Sequence, residues 1–114
     1  MTNEISKLLK EFGIPANLLG YDYLRYAIYV VVNEPDTVHR VTKVLYPHVA
    51  DAFNTTCSRV ERACRHAIEH GWDRANKELI DKYFGYSVSA GCKPTNSEFI
   101  ATLADSLIIG GNDE

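Results

Sequence analysis

The longest regular pattern in this sequence is a series of apolar and small residues with the spacing of an amphipathic helix. Its members are Val60, Ala63, Cys64, Ala67, Ile68, Gly71 and Trp72. A helix turns about 100° per residue, so these positions share one side of it and must pack against other elements. We predict a helix over about residues 57–73, opened by a capping box at residues 58–61. The rest of the chain must then supply the surfaces that cover its apolar side.

Helical spacing recurs along the rest of the chain. We predict a first helix from Ile5 to Phe12 that ends at Gly13, and a second from Leu24 to Val32, although the β-branched run 30–32 also suits a strand. A third amphipathic segment runs from residue 38 to 45, followed by a two-turn helix to residue 53. Short and final helices are predicted at residues 79–84 and after residues 94–98, with an extended connector at 86–91 between them. Because no pair of alternating strands is evident, we predict an all-α fold: a compact six-helix domain.

Length and composition restrict the class of protein. The chain has 114 residues, 46% of them hydrophobic and 24% charged, which fits a single domain over 1–114 with a frayed tail at 110–114. Its longest apolar run, at residues 26–32, is too short to span a membrane, and the first residues lack the pattern of a signal peptide. The three cysteines, Cys57, Cys64 and Cys92, form no CxxC pair. We therefore expect a cytoplasmic protein with reduced thiols.

Charge is distributed unevenly. The net charge is −3, which disfavours non-specific attraction to nucleic acid. Residues 1–53 carry five basic and six acidic groups, and residues 78–114 carry two and six. Residues 54–77 carry five basic and three acidic groups, so the predicted long helix lies in the only net-positive stretch.

The outward side of that helix carries the chemistry of a base reader. We call this side the arginine face; it comprises Ser58, Arg59, Arg62, Arg65, His66 and Glu69, which share about a third of the circumference. Arginine can donate two hydrogen bonds to guanine in the major groove, and Glu61, at the edge of the face, can accept one from cytosine. With the preceding helix and its short polar turn, the pattern indicates a helix-turn-helix. Alternatively, the face is a solvated surface whose arginines pair with Glu61, Glu69 and Asp73.

Several motifs, in the same order, resemble one family. They are GYDYLR at 20–25, TKVLYP at 42–47, FNTT at 53–56, SRVERA at 58–63, RHAIE at 65–69 and KPTNSEFIA at 93–101. This set is similar to the C-terminal effector domain of the response regulator that initiates bacterial sporulation, over residues 5 to about 107. The resemblance implies a six-helix DNA-binding domain that reads TGTCGAA-like elements in double-stranded DNA, with copies packed head to tail on tandem elements. No receiver domain is expected within these residues, so we expect no phosphorylation switch in the chain itself.

The resemblance also implies roles for individual residues. Arg59, Glu61 and Arg62 correspond to base-contacting residues. The phosphate-backbone contacts that it implies are Arg65, His66, Lys93, Thr95, Asn96 and Ser97. We add Ser58 to these predicted contacts because it belongs to the arginine face. Thr95 or Ser97 can alternatively be only a helix cap. The segment 75–85 would correspond to a surface that meets the RNA polymerase sigma subunit, and a homodimer would form on tandem sites.

Two other functions compete with DNA binding. Asp51 and Ala52 stand where the family has lysines, which predicts weaker non-specific binding and leaves open a protein-interaction module that kept only the fold. His66 and His70 have a metal-compatible spacing without an evident third ligand, so we expect no metal and no cofactor. No motif of an enzyme active site is present, so we expect no enzyme.

Overall fold

The computed structural model describes residues 2–85 and 92–112, and these residues form helices with no strand among them. In chain order the helices are α1 (Thr2–Glu11), α2 (Leu19–Asn33), α3 (Tyr46–Ala52), α4 (Cys57–Arg74), α5 (Lys77–Phe84) and α6 (Asn96–Asn112). A 3₁₀ segment, Pro35–His39, and a π-helical turn, Val41–Leu45, connect α2 to α3. The predicted all-α fold with six helices is therefore confirmed.

The core is built around α2, which packs against α1, α4 and α6. It buries Leu24, Ala27 and Ile28 almost completely, as the spacing predicts. The apolar side of α4 is buried at Val60, Cys64, Ala67, Ile68 and Gly71, while Ala63 and Trp72 lie at its half-buried edge. From α6, Phe99, Ile100, Leu103 and Ala104 complete the core. The long helix predicted from sequence is thus held from behind, with its charged side left outward.

The crossing of α2 and α4 depends on Gly20. A Cβ atom at this position would collide with the backbone carbonyl of Ala63 and lie 2.7 Å from the Cβ of Ala67. The two helix backbones are therefore in direct contact, an approach that only glycine permits. This contact fixes how closely α4 lies against the core.

Residues 35–45 differ from the sequence prediction. The spacing of Val38, Val41, Thr42 and Leu45 predicted one amphipathic helical segment, but the chain forms two short pieces of different pitch. The carbonyl of Arg40 accepts hydrogen bonds from the amides of both Val44, at 2.8 Å, and Leu45, at 3.1 Å. The wider turn results from this shared acceptor.

The ends of the chain's last elements are also visible. Gly85, with φ +55°, ends α5 as predicted. Residues 86–91, predicted as an extended connector, lie outside the described residues. Helix α6 continues to Asn112, through residues 110–112 of the tail that the sequence suggested would fray. Within the described residues, no helix is both long and apolar enough to cross a membrane.

Candidate nucleic-acid interface

A tight turn at residues 53–56 joins α3 to α4. Asn54 adopts the left-handed conformation, with φ 53°, and the amides of Asn54 and Thr55 donate to the carbonyls of Asp51 and Ala50, at 3.4 and 2.9 Å. These are the two hydrogen bonds of a Schellman motif, which ends α3 without help from distant side chains.

The cap of α4 is Thr56, whose side chain accepts a hydrogen bond from the amide of Arg59 at 3.2 Å. The predicted capping box at 58–61 is therefore wrong: the cap is Thr56, two residues before Ser58, because Thr56 has the extended backbone that a cap requires. The predicted extent of the helix, about 57–73, agrees with the observed Cys57–Arg74. Ser58 consequently lies in the first turn, as part of the arginine face.

Every member of the arginine face is exposed, as is Glu61 at its edge. Among the described residues, the guanidinium groups of Arg59, Arg62 and Arg65 form no ion pair, and neither do Glu61 and Glu69. The alternative interpretation, in which these arginines are neutralised by carboxylates on the same helix, therefore lacks its pairs. Three unpaired guanidinium groups on one side of a helix are available to an external anionic partner.

Asn96 is turned inward, unlike the other residues predicted to meet phosphate. It is only 4% exposed, and its side-chain amide donates to the hydroxyl of Tyr46 and to the backbone carbonyl of Glu61, each at 3.0 Å. Burial raises the pKa of Tyr46, although the hydrogen bond from Asn96 opposes that rise. Asn96 thus joins the start of α6 to α3 and α4, a role that sequence reasoning missed.

The residues on either side of Asn96 lie nearer the surface. Thr95 and Glu98 form a capping box: the Thr95 hydroxyl accepts from the amide of Glu98 at 3.1 Å, and the Glu98 carboxylate accepts from the amide of Thr95 at 2.9 Å. The side chain of Thr95 is exposed, and that of Ser97 is half-buried. Thr95 therefore caps α6, and its exposed side chain is also accessible from solvent.

Lys93 forms an ion pair with Asp73 in the last turns of α4, with 3.1 Å between Nζ and Oδ1. Their side chains are 35% and 68% exposed, so water screens the pair and it contributes little to stability. Asp73 nevertheless competes for the ammonium group of Lys93, which we predicted from the sequence to contact a phosphate.

An apolar hollow adjoins the arginine face on the side of α2. It has a volume of about 500 Å³ and is lined by Leu18, Leu19 and Tyr23, together with Arg59, Arg62 and His66. Leu19 is 66% exposed, the most exposed large hydrophobic residue described. The periodicity of α2 did not identify this feature, because Leu18 and Leu19 precede the repeating series; two leucines ahead of a glycine were its only signal.

The three cysteines differ in burial, and two of the histidines lie close together. Cys64 is completely buried, which raises the pKa of its thiol to about 12, while Cys57 and Cys92 are exposed. The rings of His66 and His70 lie 6.3 Å apart, but no group of three metal-ligating side chains occurs in residues 2–85 and 92–112.

Comparison with known families shows which family the chain matches. Residues 5–107 match the family described as sporulation initiation factor Spo0A C terminal. The match covers the whole helical core, from α1 into the second half of α6, and includes α4 with its arginine face. The chain therefore belongs to the family of the Spo0A C-terminal domain, a family of DNA-binding effector domains of sporulation regulators.

Proposed function

We propose that this chain binds double-stranded DNA in a sequence-specific manner and regulates transcription, with α3 and α4 acting as a helix-turn-helix. Helix α4 lies in the major groove, where Arg59 and Arg62 donate to guanine and Glu61 accepts from cytosine. The target is a TGTCGAA-like element.

The observation that carries the proposal is the arginine face itself. Its three guanidinium groups are exposed and lack ion pairs within the described residues, on a helix whose opposite side is buried from Val60 to Gly71. A helix held rigidly from behind can place its side chains at base edges with the precision that direct readout requires.

Phosphate contacts surround this face in the proposed complex. Ser58, Arg65 and His66 are exposed on α4 and meet the DNA backbone, and Lys93, Thr95 and Ser97 approach it from the start of α6. We leave Asn96 out of this set because its side chain is buried and its amide already serves Tyr46 and Glu61.

The resemblance to the family also suggests partners other than a single DNA element. Two copies bind tandem elements as a homodimer, and residues 75–85, which include α5, contact the RNA polymerase sigma subunit. The working compartment is the cytoplasm. Within the described residues, no group of three or more histidine, cysteine, aspartate or glutamate side chains could hold a metal ion.

The test is a fluorescence-anisotropy titration of a duplex with two TGTCGAA-like elements, against a scrambled duplex of equal length. We expect the specific duplex to bind more tightly, and Arg62→Ala to cost about 1 to 3 kcal/mol on that duplex alone. Lys82→Ala is the matched control: it removes one positive charge from an exposed position on α5 and should leave the preference unchanged.

Equal and weak binding of both duplexes, unaffected by Arg62→Ala, would contradict the proposal. The arginine face would then be a solvated surface or a site for a protein partner, and the neighbouring apolar hollow would be the first place to look for that partner.

A further inference from the structure

A second hollow opens at the start of α6. It has a volume of about 710 Å³ and is lined by the end of the 3₁₀ segment, the π-helical turn and one residue of α6: Val38, His39, Arg40, Val41, Thr42, Lys43, Val44 and Ser97. We call it the basic hollow. Its irregular backbone is the part of the connector that departs from the predicted helix.

The charge of the basic hollow is opposite to that of the chain. The net charge is −3, yet none of the described lining residues is acidic, while Arg40 and Lys43 are cationic and exposed. Within the described residues neither side chain forms an ion pair, so neither charge is satisfied by the protein. The chemistry of the hollow suits an anion with several oxygen acceptors.

Its position connects it to α4. Ser97 lines the hollow, and the preceding residue, Asn96, donates to the backbone carbonyl of Glu61 on α4 at 3.0 Å. Only the first turn of α6 separates the hollow from the edge of the arginine face. The major groove is about 12 Å wide, so phosphates line both sides of any helix inserted in it. A phosphate row that passed this edge of α4 would come near the basic hollow.

We infer that the basic hollow is a second DNA-backbone site, in which Arg40 and Lys43 bind phosphates flanking the element that α4 reads. The inference rests on the proposed function and extends it. These contacts add affinity without sequence preference, since phosphates are the same at every base pair. They also supply cationic groups to a chain that has Asp51 and Ala52 in the helix before α4.

The experiment measures the salt dependence of DNA binding. Wild type, Arg40→Ala, Lys43→Ala and the double variant are titrated with the specific and the scrambled duplex from 50 to 300 mM salt. Each substitution should lower the salt slope by about 1 and weaken binding about five-fold near 0.15 M salt, equally for both duplexes. Lys7→Ala, which removes an exposed lysine of α1 that belongs to no proposed site, should leave the slope unchanged. Circular dichroism confirms that each variant is folded.

A trimmed series of duplexes locates the contact. Base pairs are removed one at a time from each side of the element, and wild type should lose affinity at the length where the flanking phosphates disappear. The double variant should show no such loss. If wild type binds the specific duplex but Arg40→Ala and Lys43→Ala match it in slope and affinity, the inference is wrong and the proposed function stands. If wild type prefers neither duplex, the proposed function fails first.

Discussion

The two flanks of α4 are held by different forces. On the flank toward α2, the backbones meet at Gly20 and Ala63 beside an apolar hollow, and packing shape alone sets the distance. On the flank toward α6, the amide of Asn96 bridges Tyr46 and the backbone of α4 through hydrogen bonds. The position of the helix therefore has a steric stop on one side and a directional tether on the other. Substitutions on the two flanks should therefore lower the free energy of unfolding by different amounts.

The largest effect should come from the steric flank. Gly20→Ala adds one methyl group that meets the Ala63 carbonyl and the Ala67 side chain, and relief requires α4 to move. We expect a loss of about 3 kcal/mol in the free energy of unfolding, measured by urea denaturation. Helix propensity alone predicts the reverse, a gain of about 1 kcal/mol, because alanine favours helices over glycine. Unchanged or higher stability would show that the close contact is not restrictive.

The hydrogen-bonded flank should give a smaller loss of stability and a clear loss of binding. Asn96→Ala removes both hydrogen bonds from a buried site, and we expect about 2 kcal/mol of destabilisation. Tyr46→Phe removes one of the two bonds and should cost about 1 kcal/mol. If Asn96 only positions α4, the variant should lose affinity for the specific duplex more than for the scrambled one, at an unchanged salt slope. An equal loss of affinity for both duplexes would instead assign the residue to a phosphate, because phosphates are the same at every base pair.

The smallest effect on stability should come from the exposed ion pair. Asp73→Asn removes the partner of Lys93, and the stability should change by less than about 0.5 kcal/mol. DNA affinity should rise about five-fold near 0.15 M salt, because the lysine is released and a repelling charge is removed. Asp105→Asn, an equal change of charge on the second half of α6, is the control and should leave affinity nearly unchanged. A rise of equal size in both variants would indicate only a general effect of net charge.

The elements of the fold are largely predictable because their signals are local. The apolar series of α4, the glycine that ends α5 and the Thr95–Glu98 cap each depend on neighbours within about two turns. The prediction for residues 35–45 is wrong for a related reason: over one or two turns, apolar spacing does not distinguish a 3₁₀-helix or a π-helix from an α-helix. The π-helical turn forms where the Arg40 carbonyl accepts two hydrogen bonds, and no residue type in the sequence predicts this sharing.

The direction of a polar side chain depends instead on tertiary structure. In the run from Thr95 to Ser97, three polar residues beside a lysine predict an exposed polar segment. Which of the three turns inward is decided by where α6 meets Tyr46 and the carbonyl of Glu61, residues 50 and 35 positions away. The membership of the arginine face was predictable, because it requires only the phase of one helix. The tether behind it required the assembled molecule.

Among the described residues, the turn between α3 and α4 draws its hydrogen bonds from backbone groups and from the Thr56 hydroxyl, and none from the side chains of the arginine face. The parts that build this domain are thus separate from the parts that would read a partner. Outward residues of α4 can be exchanged during evolution or in the laboratory without disturbing assembly. A library randomised at Arg59, Glu61 and Arg62 should therefore yield mostly folded proteins that share one fold and differ in the partner they recognise.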